Sequence, residues 1–466
     1  MGICHSDGTA DVVSEESFEG LRSSSAIASR LRHVLDAAHR ILNEETLPVL
    51  DTVRVVRKIM RVSKAMRLEN PEVITEECRA DGCKPMTDVQ EARQLASYVY
   101  HAQLVYEAET DQIRERLIGC GMMLIQHNKE INTGRVANYL AIDPRRKIAV
   151  LAIKGTSTIE DALTDIIADT GPLHLLNAVK TAGSARGFSS VAGFAHGGFR
   201  LAAHGVLHQV EPVIWHFLWP LQYQLILTGH SLGAGTACCL AKILYDRIYY
   251  AQPQLLRCFA YATPPCLDKA TALSMVRYTV SVVHHDDLVT RASLYNAKLM
   301  SNIWREAKRL MDADEFEDCD KYGLVHRYQH EIKVDLKDDL YVAGKVMYVY
   351  KLGYPKGQDP ITYKAVTKDG TMARLRCASF SRSSLTDHLC NHYTACTGEV
   401  AAQLSGTSPE HFKPWLEETF SGQPIGTSDC TKFCEDIRFS CAIQPSKPAI
   451  GCPVTLPTLL KPTTVR

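Results

Sequence analysis

The sequence predicts an α/β fold with a mostly parallel central sheet, and three observations support this. Short apolar runs rich in β-branched residues alternate with segments of helical periodicity, as in parallel strands joined by crossover helices. Of the 466 residues, 45% are hydrophobic and 22% are charged, so the chain can bury a large core. A G-x-S-x-G sequence also stands between one apolar run and a helix-compatible segment.

Charge, cysteine content and hydropathy argue against several classes of protein. Lys plus Arg and Asp plus Glu each number 52, so a net charge of zero gives no electrostatic case for nucleic-acid binding. The 16 cysteines are scattered through a large chain whose N-terminus lacks a secretory signal pattern, which indicates reduced thiols in the cytoplasm. No stretch reaches the roughly 18 apolar residues of a transmembrane helix. Any contact with a membrane is therefore expected at its surface.

The N-terminus matches the pattern for two lipid modifications. Gly2 follows the initiating methionine and Ser6 occupies the hydroxyl position of an N-myristoylation sequence. Cys4 lies beside them as a candidate for palmitoylation. One myristoyl chain binds membranes only marginally, whereas two acyl chains hold a protein there stably. Residues 1–14 are therefore predicted to be an acylated segment that anchors a peripheral protein on the cytoplasmic side of a membrane.

Residues 15–117 are predicted to form a helical N-terminal region, with a second helical stretch at about 88–117. In the first part, basic residues recur at spacings of three and four, at Arg54, Arg57, Lys58, Arg61 and Lys64. They flank an apolar set that includes Val55, Val56, Ile59 and Met66. Such a helix can lie on an anionic membrane, or it can pack its apolar stripe on the body of the protein.

Residues 118–420 hold the alternating strands and helices of the predicted α/β domain. The strand candidates are 138–142, 148–153, 225–228, 258–262, 278–283, 345–351 and 361–366. Residues 421–466 form a Cys- and Pro-rich tail that is expected to be disordered from about Pro445. The tail has four cysteines, Cys430, Cys434, Cys441 and Cys452, and they lack the paired spacing of a zinc site. We expect the protein to need no metal or organic cofactor.

Ser231 is the predicted nucleophile. It is the centre of the G-x-S-x-G sequence 229–233, between the apolar run 225–227 and a helix-compatible segment from Thr236 onward. A sharp strand-to-helix turn needs the flanking glycines, and it lifts the serine hydroxyl clear of the sheet at a helix N-terminus. The five-residue pattern alone is weak, but its strand-turn-helix setting is much rarer.

A serine hydroxyl needs an imidazole to accept its proton and a carboxylate to orient that imidazole. Asp286 and Asp287 follow the buried run 278–283, and active-site loops gather at the carboxyl ends of such strands. Position in the chain barely separates these two candidates for the acid. His388 follows the last strand candidates and is the predicted base, with His392 one helical turn later as the alternative.

The content and order of these motifs resemble the class 3 lipases, the fungal-lipase-like family, and most of all its diacylglycerol lipase branch. The resemblance covers about residues 135–393 and is carried by 150–157, 161–165, 195–199, 229–233, 263–265, 287–291 and 386–388. It implies a lipase-type α/β-hydrolase fold and favours Asp287 as the acid. It also implies an oxyanion hole formed by the backbone N–H groups of Thr156 and Leu232. The family's usual arginine is Lys154 here, a change that leaves those backbone donors untouched.

The resemblance implies a membrane-anchored serine lipase that hydrolyses diacylglycerol or triacylglycerol through an acyl-enzyme. A phospholipase A1, an acyl thioesterase and an inactive acylated membrane scaffold remain alternatives, because head-group selectivity depends on pocket shape. The expected partners are a lipid substrate and a membrane surface. Residues 171–193 match the family lid in position, and a plain surface loop is the alternative. The long separation of Asp287 from His388 indicates an insertion near 304–328.

Overall fold

The computed structural model describes residues 71–129, 136–156, 170–173, 193–315, 339–352, 362–377 and 383–408. Several sequence predictions lie outside these residues. They concern the acylated segment with Gly2 and Cys4, the basic helix at 54–66, residues 174–192 of the lid candidate, residues 316–328 of the insertion, and the tail.

The described chain begins with helix α1 (Pro71–Ala80), the two-residue strand β1 (Lys84–Pro85), and helices α2 (Val89–Leu104) and α3 (Thr110–Gly119). The Asp88 side chain caps α2 by accepting from the backbone N–H of Glu91 at 2.9 Å. The prediction of one helical stretch over 88–117 was therefore wrong in detail. The structure has two helices, because the chain turns after Leu104 and starts a new helix at Thr110.

One large sheet organises the described residues. Its further strands are β2 (Met123–Asn128), β3 (Asn138–Asp143), β4 (Ile148–Ile153), β7 (Gln224–His230), β8 (Leu256–Tyr261), β9 (Thr279–His284), β10 (Lys345–Lys351) and β11 (Tyr363–Asp369). Their order is β1-β11-β10-β9-β8-β7-β4-β3-β2. The central strands β10, β9, β8, β7 and β4 are parallel, and the pairs at both sides are antiparallel.

Each strand that the sequence predicted coincides with a strand of this sheet, so the α/β fold with a mostly parallel centre is confirmed. Strand β2 was not predicted from the sequence. Its second half, Gln126 to Asn128, is polar and only half-buried, which hides the pattern of a sheet strand. Strands β5 (Thr170–Pro172) and β6 (Phe194–His196) form a separate antiparallel pair.

The remaining helices are α4 (Gly197–Val213), which continues as a π-helical turn over Ile214–Leu218, and α5 (Leu232–Arg247), α6 (Lys269–Ser274), α7 (Leu294–Asp312) and α8 (Cys390–Ser405). Helix α7 enters the region of the predicted insertion and buries Trp304. Among the helices that the structure describes, none is long and apolar enough to cross a bilayer.

Apolar clusters cover both faces of the sheet. Leu225 and Leu227 of β7 enter the cluster under α4 and α5, whereas Ile226 enters the cluster under α2 and α8. Adjacent residues of a strand point to opposite faces, so a strand buried on both faces is apolar throughout. This explains why the central strands appear in the sequence as continuous apolar runs. It also leaves the ends of the strands as the places where polar side chains can gather.

Candidate active site

Ser231 lies in a tight turn between β7 and α5. Its backbone has φ 59° and ψ −127°, a left-handed conformation that costs energy for any residue with a side chain. The Ser231 N–H donates to the carbonyl of Tyr261 at 2.9 Å, which ties the turn to the end of β8. The structure thus has the strained strand-turn-helix geometry that the sequence predicted for this residue.

The glycines around Ser231 are required by close backbone contacts. A Cβ at Gly233 would lie 2.2 Å from the carbonyl oxygen of Ile153 at the end of β4. A Cβ at Gly229 would lie 2.6 Å from the carbonyl oxygen of Gly233, and one at Gly155 2.5 Å from that of His230. Backbone atoms cannot rotate away as a side chain can, so the turn packs against β4 only if these positions are glycine.

Ser231, His388 and Asp287 form one chain of hydrogen bonds. His388 Nε2 lies 2.9 Å from Ser231 Oγ. His388 Nδ1 lies 3.0 Å from Asp287 Oδ2 and 3.1 Å from Oδ1. All three side chains are buried. A carboxylate only accepts, so the imidazole carries its proton on Nδ1 and presents the lone pair of Nε2 to the serine hydroxyl.

Further donors hold the Asp287 carboxylate in its ionised form. Tyr393 of α8 donates its hydroxyl to Asp287 Oδ2 at 2.6 Å, and the Val289 N–H donates to Oδ1 at 2.8 Å. Burial alone raises the pKa of Asp287. The charge of His388 in its protonated form and the hydrogen bonds from His388, Tyr393 and Val289 together lower that pKa below its ordinary value. Asp287 therefore stays a carboxylate at neutral pH.

Asp286, the alternative acid, points into a different environment. Its Oδ1 lies 3.7 Å from guanidinium nitrogens of both Arg291 and Arg374, and all three residues are buried. Both aspartates lie in the turn after β9, where Asp286 faces the two arginines and Asp287 faces the imidazole of His388.

His392, the alternative base, belongs to a second polar cluster behind His388. Its ring packs edge-on against that of His284, with the centroids 5.9 Å apart. His284, Asp387 and His392 each offer a ligand atom within 4.8 Å of the others, a spacing that a metal ion could bridge. Lys351 Nζ, however, lies 2.8 Å from Asp387 Oδ1, so an ammonium already supplies a cation beside the carboxylate.

The two predicted oxyanion donors lie on neighbouring segments. Leu232 is the first residue of α5, where a backbone N–H has no carbonyl partner within the helix. Thr156 follows β4, whose Ile153 is in register with Gly229 of β7. A Cβ at Gly233 would be 2.9 Å from the Gly155 nitrogen, so the Thr156 and Leu232 segments are in direct contact.

Three aromatic residues of the site were not predicted from the sequence. Besides Tyr393, these are His230, whose Nε2 lies 2.8 Å from the carbonyl oxygen of His388, and Tyr106, whose hydroxyl lies 3.4 Å from His230 Nδ1. Burial lowers the pKa of His230 to about 3, so its ring is neutral and its Nε2–H donates to the carbonyl. The nearness of Tyr393 to His388 in the chain was an available signal. Tyr106 lies in the connection after α2 and offered none.

The segment predicted as a lid is anchored at both ends. Thr170 pairs with His196 and Pro172 with Phe194, so β5 and β6 bring the ends of 174–192 together. The buried Leu173 donates its N–H to the carbonyl of Gly193 at 2.7 Å. Residues 171–173 and 193 therefore belong to the body of the protein.

The parallel-centred sheet and the turn at Ser231 define a lipase-type α/β-hydrolase fold. The family model of class 3 lipases matches residues 150–297, from β4 into α7. Residues 150–297 are therefore similar to the class 3 lipases, and the resemblance found in the sequence is confirmed over this range.

Known proteins similar to this chain include two diacylglycerol lipases. Diacylglycerol lipase-beta of Mus musculus is 32% identical over 158 residues, 34% of this chain and 22% of that protein. Diacylglycerol lipase-alpha of Homo sapiens is 34% identical over 165 residues, 34% of this chain and 14% of that protein. The chain thus spans less than a quarter of these relatives' length. A lipase structure from Rhizopus microsporus var. chinensis has a TM-score of 0.43 and 17% identity, over 66% of this chain and 88% of that chain.

Proposed function

We propose that this protein is a serine lipase that hydrolyses the ester bonds of acylglycerols at a membrane surface. The observation that carries the proposal is the unbroken chain from Ser231 Oγ through His388 to Asp287, with distances of 2.9 and 3.0 Å. Its setting in a region similar to the class 3 lipases, and the similarity to two diacylglycerol lipases, support an acylglycerol substrate.

In the proposed reaction, Ser231 Oγ attacks the ester carbonyl as its proton passes to His388 Nε2. Asp287 stabilises the imidazolium that forms. When the tetrahedral intermediate collapses, His388 returns the proton to the departing glycerol oxygen, and the acyl group remains on Ser231. A water molecule then gives one proton to His388 and attacks the acyl-enzyme. When the second intermediate collapses, His388 gives that proton to Ser231 Oγ, which restores the serine hydroxyl and releases the fatty acid.

The negative oxygen of both intermediates would be bound by the backbone N–H groups of Leu232 and Thr156. These donors are fixed before the substrate binds, because Leu232 begins α5 and Thr156 follows Gly155, whose backbone packs against Gly233 of that helix. Fixed donors aimed at a developing oxyanion are typically worth about 3 kcal/mol of the barrier each. Neither donor is a side chain, so Lys154 in place of the family's arginine leaves this part of the mechanism intact.

The proposal includes a membrane anchor made by acylation of Gly2 and Cys4. An enzyme held on the cytoplasmic side of a bilayer meets diacylglycerol where that lipid resides. Gly2→Ala is expected to move the protein from the membrane fraction to the soluble fraction, and Cys4→Ser to weaken its retention. An unchanged membrane fraction in Gly2→Ala rules out the anchor and leaves the proposed reaction unaffected.

The experiment that tests the reaction measures fatty-acid release from diacylglycerol, triacylglycerol and phosphatidylcholine dispersions. We expect release from diacylglycerol by the wild type, and loss of release in Ser231→Ala and His388→Ala. Ser281→Ala is the matched control, since Ser281 is a buried serine of β9 bonded to the Ala343 carbonyl, away from the site. Its activity should stay close to that of the wild type.

The outcomes separate the remaining possibilities. Release only from phosphatidylcholine indicates a phospholipase A1. Cleavage of acyl-thioesters without lipid hydrolysis indicates a thioesterase. A wild type that neither hydrolyses these substrates nor reacts with a fluorophosphonate probe is an inactive scaffold, and the proposal is then wrong.

A further inference from the structure

Asp387, the residue before His388, is a buried carboxylate with partners on several segments. Lys351 Nζ of β10 donates to its Oδ1 at 2.8 Å. The hydroxyl of Ser383 donates to Oδ2 at 2.7 Å, and the backbone N–H of Asp286 donates to the same oxygen at 3.3 Å. The exposed fraction of Asp387 is 0%. A buried carboxylate with this many donors is held in one orientation.

One of these contacts, together with a bond to the backbone of Asp387, joins the segments that carry the proposed acid and base. The N–H of Asp286, one residue before Asp287, bonds to the side chain of the residue before His388. His284 Nδ1 also lies 3.1 Å from the carbonyl oxygen of Asp387, which makes a second tie between the same segments. The distance between His388 and Asp287 therefore depends on a cross-link directly beside both.

The charge of Asp387 is matched by that of Lys351, whose side chain is only 11% exposed. The ionisable groups that face Asp387 from the other packed elements lie at and after the end of β9, on β11 and on α8: His284, His285, Tyr363, His392 and Cys396. Burial raises the pKa of Tyr363 and of Cys396, so both stay protonated and uncharged. Burial alone raises the pKa of Asp387, but Lys351 and the histidines lower it to about 2. Burial lowers the pKa of His284 to about 4, so Lys351 is the main cation of the cluster at neutral pH.

We propose that Asp387 is a positioning residue that fixes His388 against Asp287 and that its charge cancels the charge of Lys351 beside the base. This inference rests on the proposed function. In a buried site, an unmatched ammonium at the Asp387 position, one residue from His388, disfavours the imidazolium that forms during turnover, and an unmatched carboxylate there favours it. The neutral pair therefore sets the pH range in which His388 works as a base.

The test compares Asp387→Asn, Lys351→Met and the double variant on a soluble p-nitrophenyl ester across pH 5 to 9. Asp387→Asn is expected to lower kcat roughly tenfold with KM nearly unchanged, because the base loses its alignment. It should also move the acid limb of the pH profile to lower pH by about half a unit or more. Lys351→Met should move the limb to higher pH. The double variant should return the limb towards that of the wild type.

The control is Asp143→Asn. Asp143 is 1% exposed, pairs with Arg146, and lies at the opposite edge of the sheet, in register with Ile148 at the start of β4. Loss of this pair should reduce stability without moving the acid limb. Shifts of the limb in the same direction in both single variants, no shift in either, or an equal shift in Asp143→Asn each overturn the proposal.

A second measurement separates this inference from the proposed function. The low-field NMR resonance of the His388 Nδ1 proton, bonded to Asp287, reports protonation of the imidazole without turnover. Opposite shifts of its titration in Asp387→Asn and Lys351→Met support the inference even if the wild type hydrolyses no ester. Identical titrations in an active wild type and both single variants contradict the inference and leave the proposed function standing.

Discussion

The nucleophile side and the acid-base side of the candidate active site are built in different ways. Ser231 lies between glycines that are close to it in the chain, and their constraint is steric, because a Cβ at Gly233 would lie 2.2 Å from the carbonyl oxygen of Ile153. His388 is held by buried charges and hydroxyls from several strands and helices, among them Asp287, Lys351 and Tyr393. The glycines that meet the steric requirement stand close to Ser231 in the sequence. The residues that meet the electrostatic requirement come from distant parts of the chain.

The largest effect is expected from Asp287→Asn, which breaks the acid-base side at its centre. An amide in place of the carboxylate reverses the tautomer of His388, so Nε2 carries a proton and cannot accept one from Ser231. We expect kcat to fall by about 10⁴-fold with little change in fold. Steady-state hydrolysis of a soluble ester and a thermal unfolding curve measure both.

Asp286→Asn is the matched control for Asp287→Asn. It leaves Arg291 and Arg374 without their shared carboxylate, so it should lower stability more than Asp287→Asn does. Its rate should fall less. A larger loss of rate in Asp286→Asn than in Asp287→Asn would assign the acid to Asp286.

A smaller loss, of roughly 100-fold in fluorophosphonate labelling, is expected from Gly233→Ala on the nucleophile side. The new methyl group must displace the end of β4, which moves Ser231 and the Thr156 segment apart. Gly398→Ala in α8 is the control, since a Cβ there meets nothing within 4 Å. That variant should keep full labelling and gain up to about 1 kcal/mol of stability. Normal labelling in Gly233→Ala would mean that the turn tolerates a side chain.

The contrast between the two sides explains what could be predicted from the sequence. The buried strands and the turn at Ser231 were predictable, because apolar runs and flanking glycines are local patterns. The choice between Asp286 and Asp287 required the family resemblance, since the ion pair of Asp286 with Arg374 comes from a distant part of the chain. Tyr106 was not predictable, because no local pattern distinguishes its hydroxyl from those of the other tyrosines.

Tyr393→Phe sharpens the comparison by removing one hydroxyl from the acid-base side. The hydroxyl donates to Asp287 and accepts from the N–H of His284 at 3.1 Å, so its loss weakens the carboxylate's support. We expect kcat/KM to fall about tenfold and stability to fall by about 1 to 3 kcal/mol. In the control Tyr139→Phe, the lost bond is to His101 Nδ1 at 2.8 Å, away from the site. Equal losses of rate in both variants would mean that Tyr393 contributes only to packing.

The smallest effect concerns acid stability, a property that both sides share. Burial lowers the pKa of His230 on the nucleophile side to about 3 and that of His284 on the acid-base side to about 4. In the unfolded chain both protonate near the ordinary histidine pKa of about 6.5. Below that pH the unfolded state binds more protons than the folded state, so stability falls as the pH drops. The loss is at most about 1.4 kcal/mol per pH unit for each histidine.

Urea unfolding at pH 7 and at about pH 5.5 measures how the free energy of unfolding changes with pH. His101 is the reference, because it lies outside the candidate active site. Burial lowers its pKa to about 3, and its Nε2 has no hydrogen-bond partner among the described residues. In His101→Gln, the free energy of unfolding should therefore change less steeply with pH, because the unfolded state then takes up nearly one proton fewer. The pH profile of ester hydrolysis should not change. A stability that does not change between these two pH values would mean that the buried histidines take up protons in the folded state. The neutral ring inferred for His230 would then be wrong, together with its donated bond to the backbone of His388.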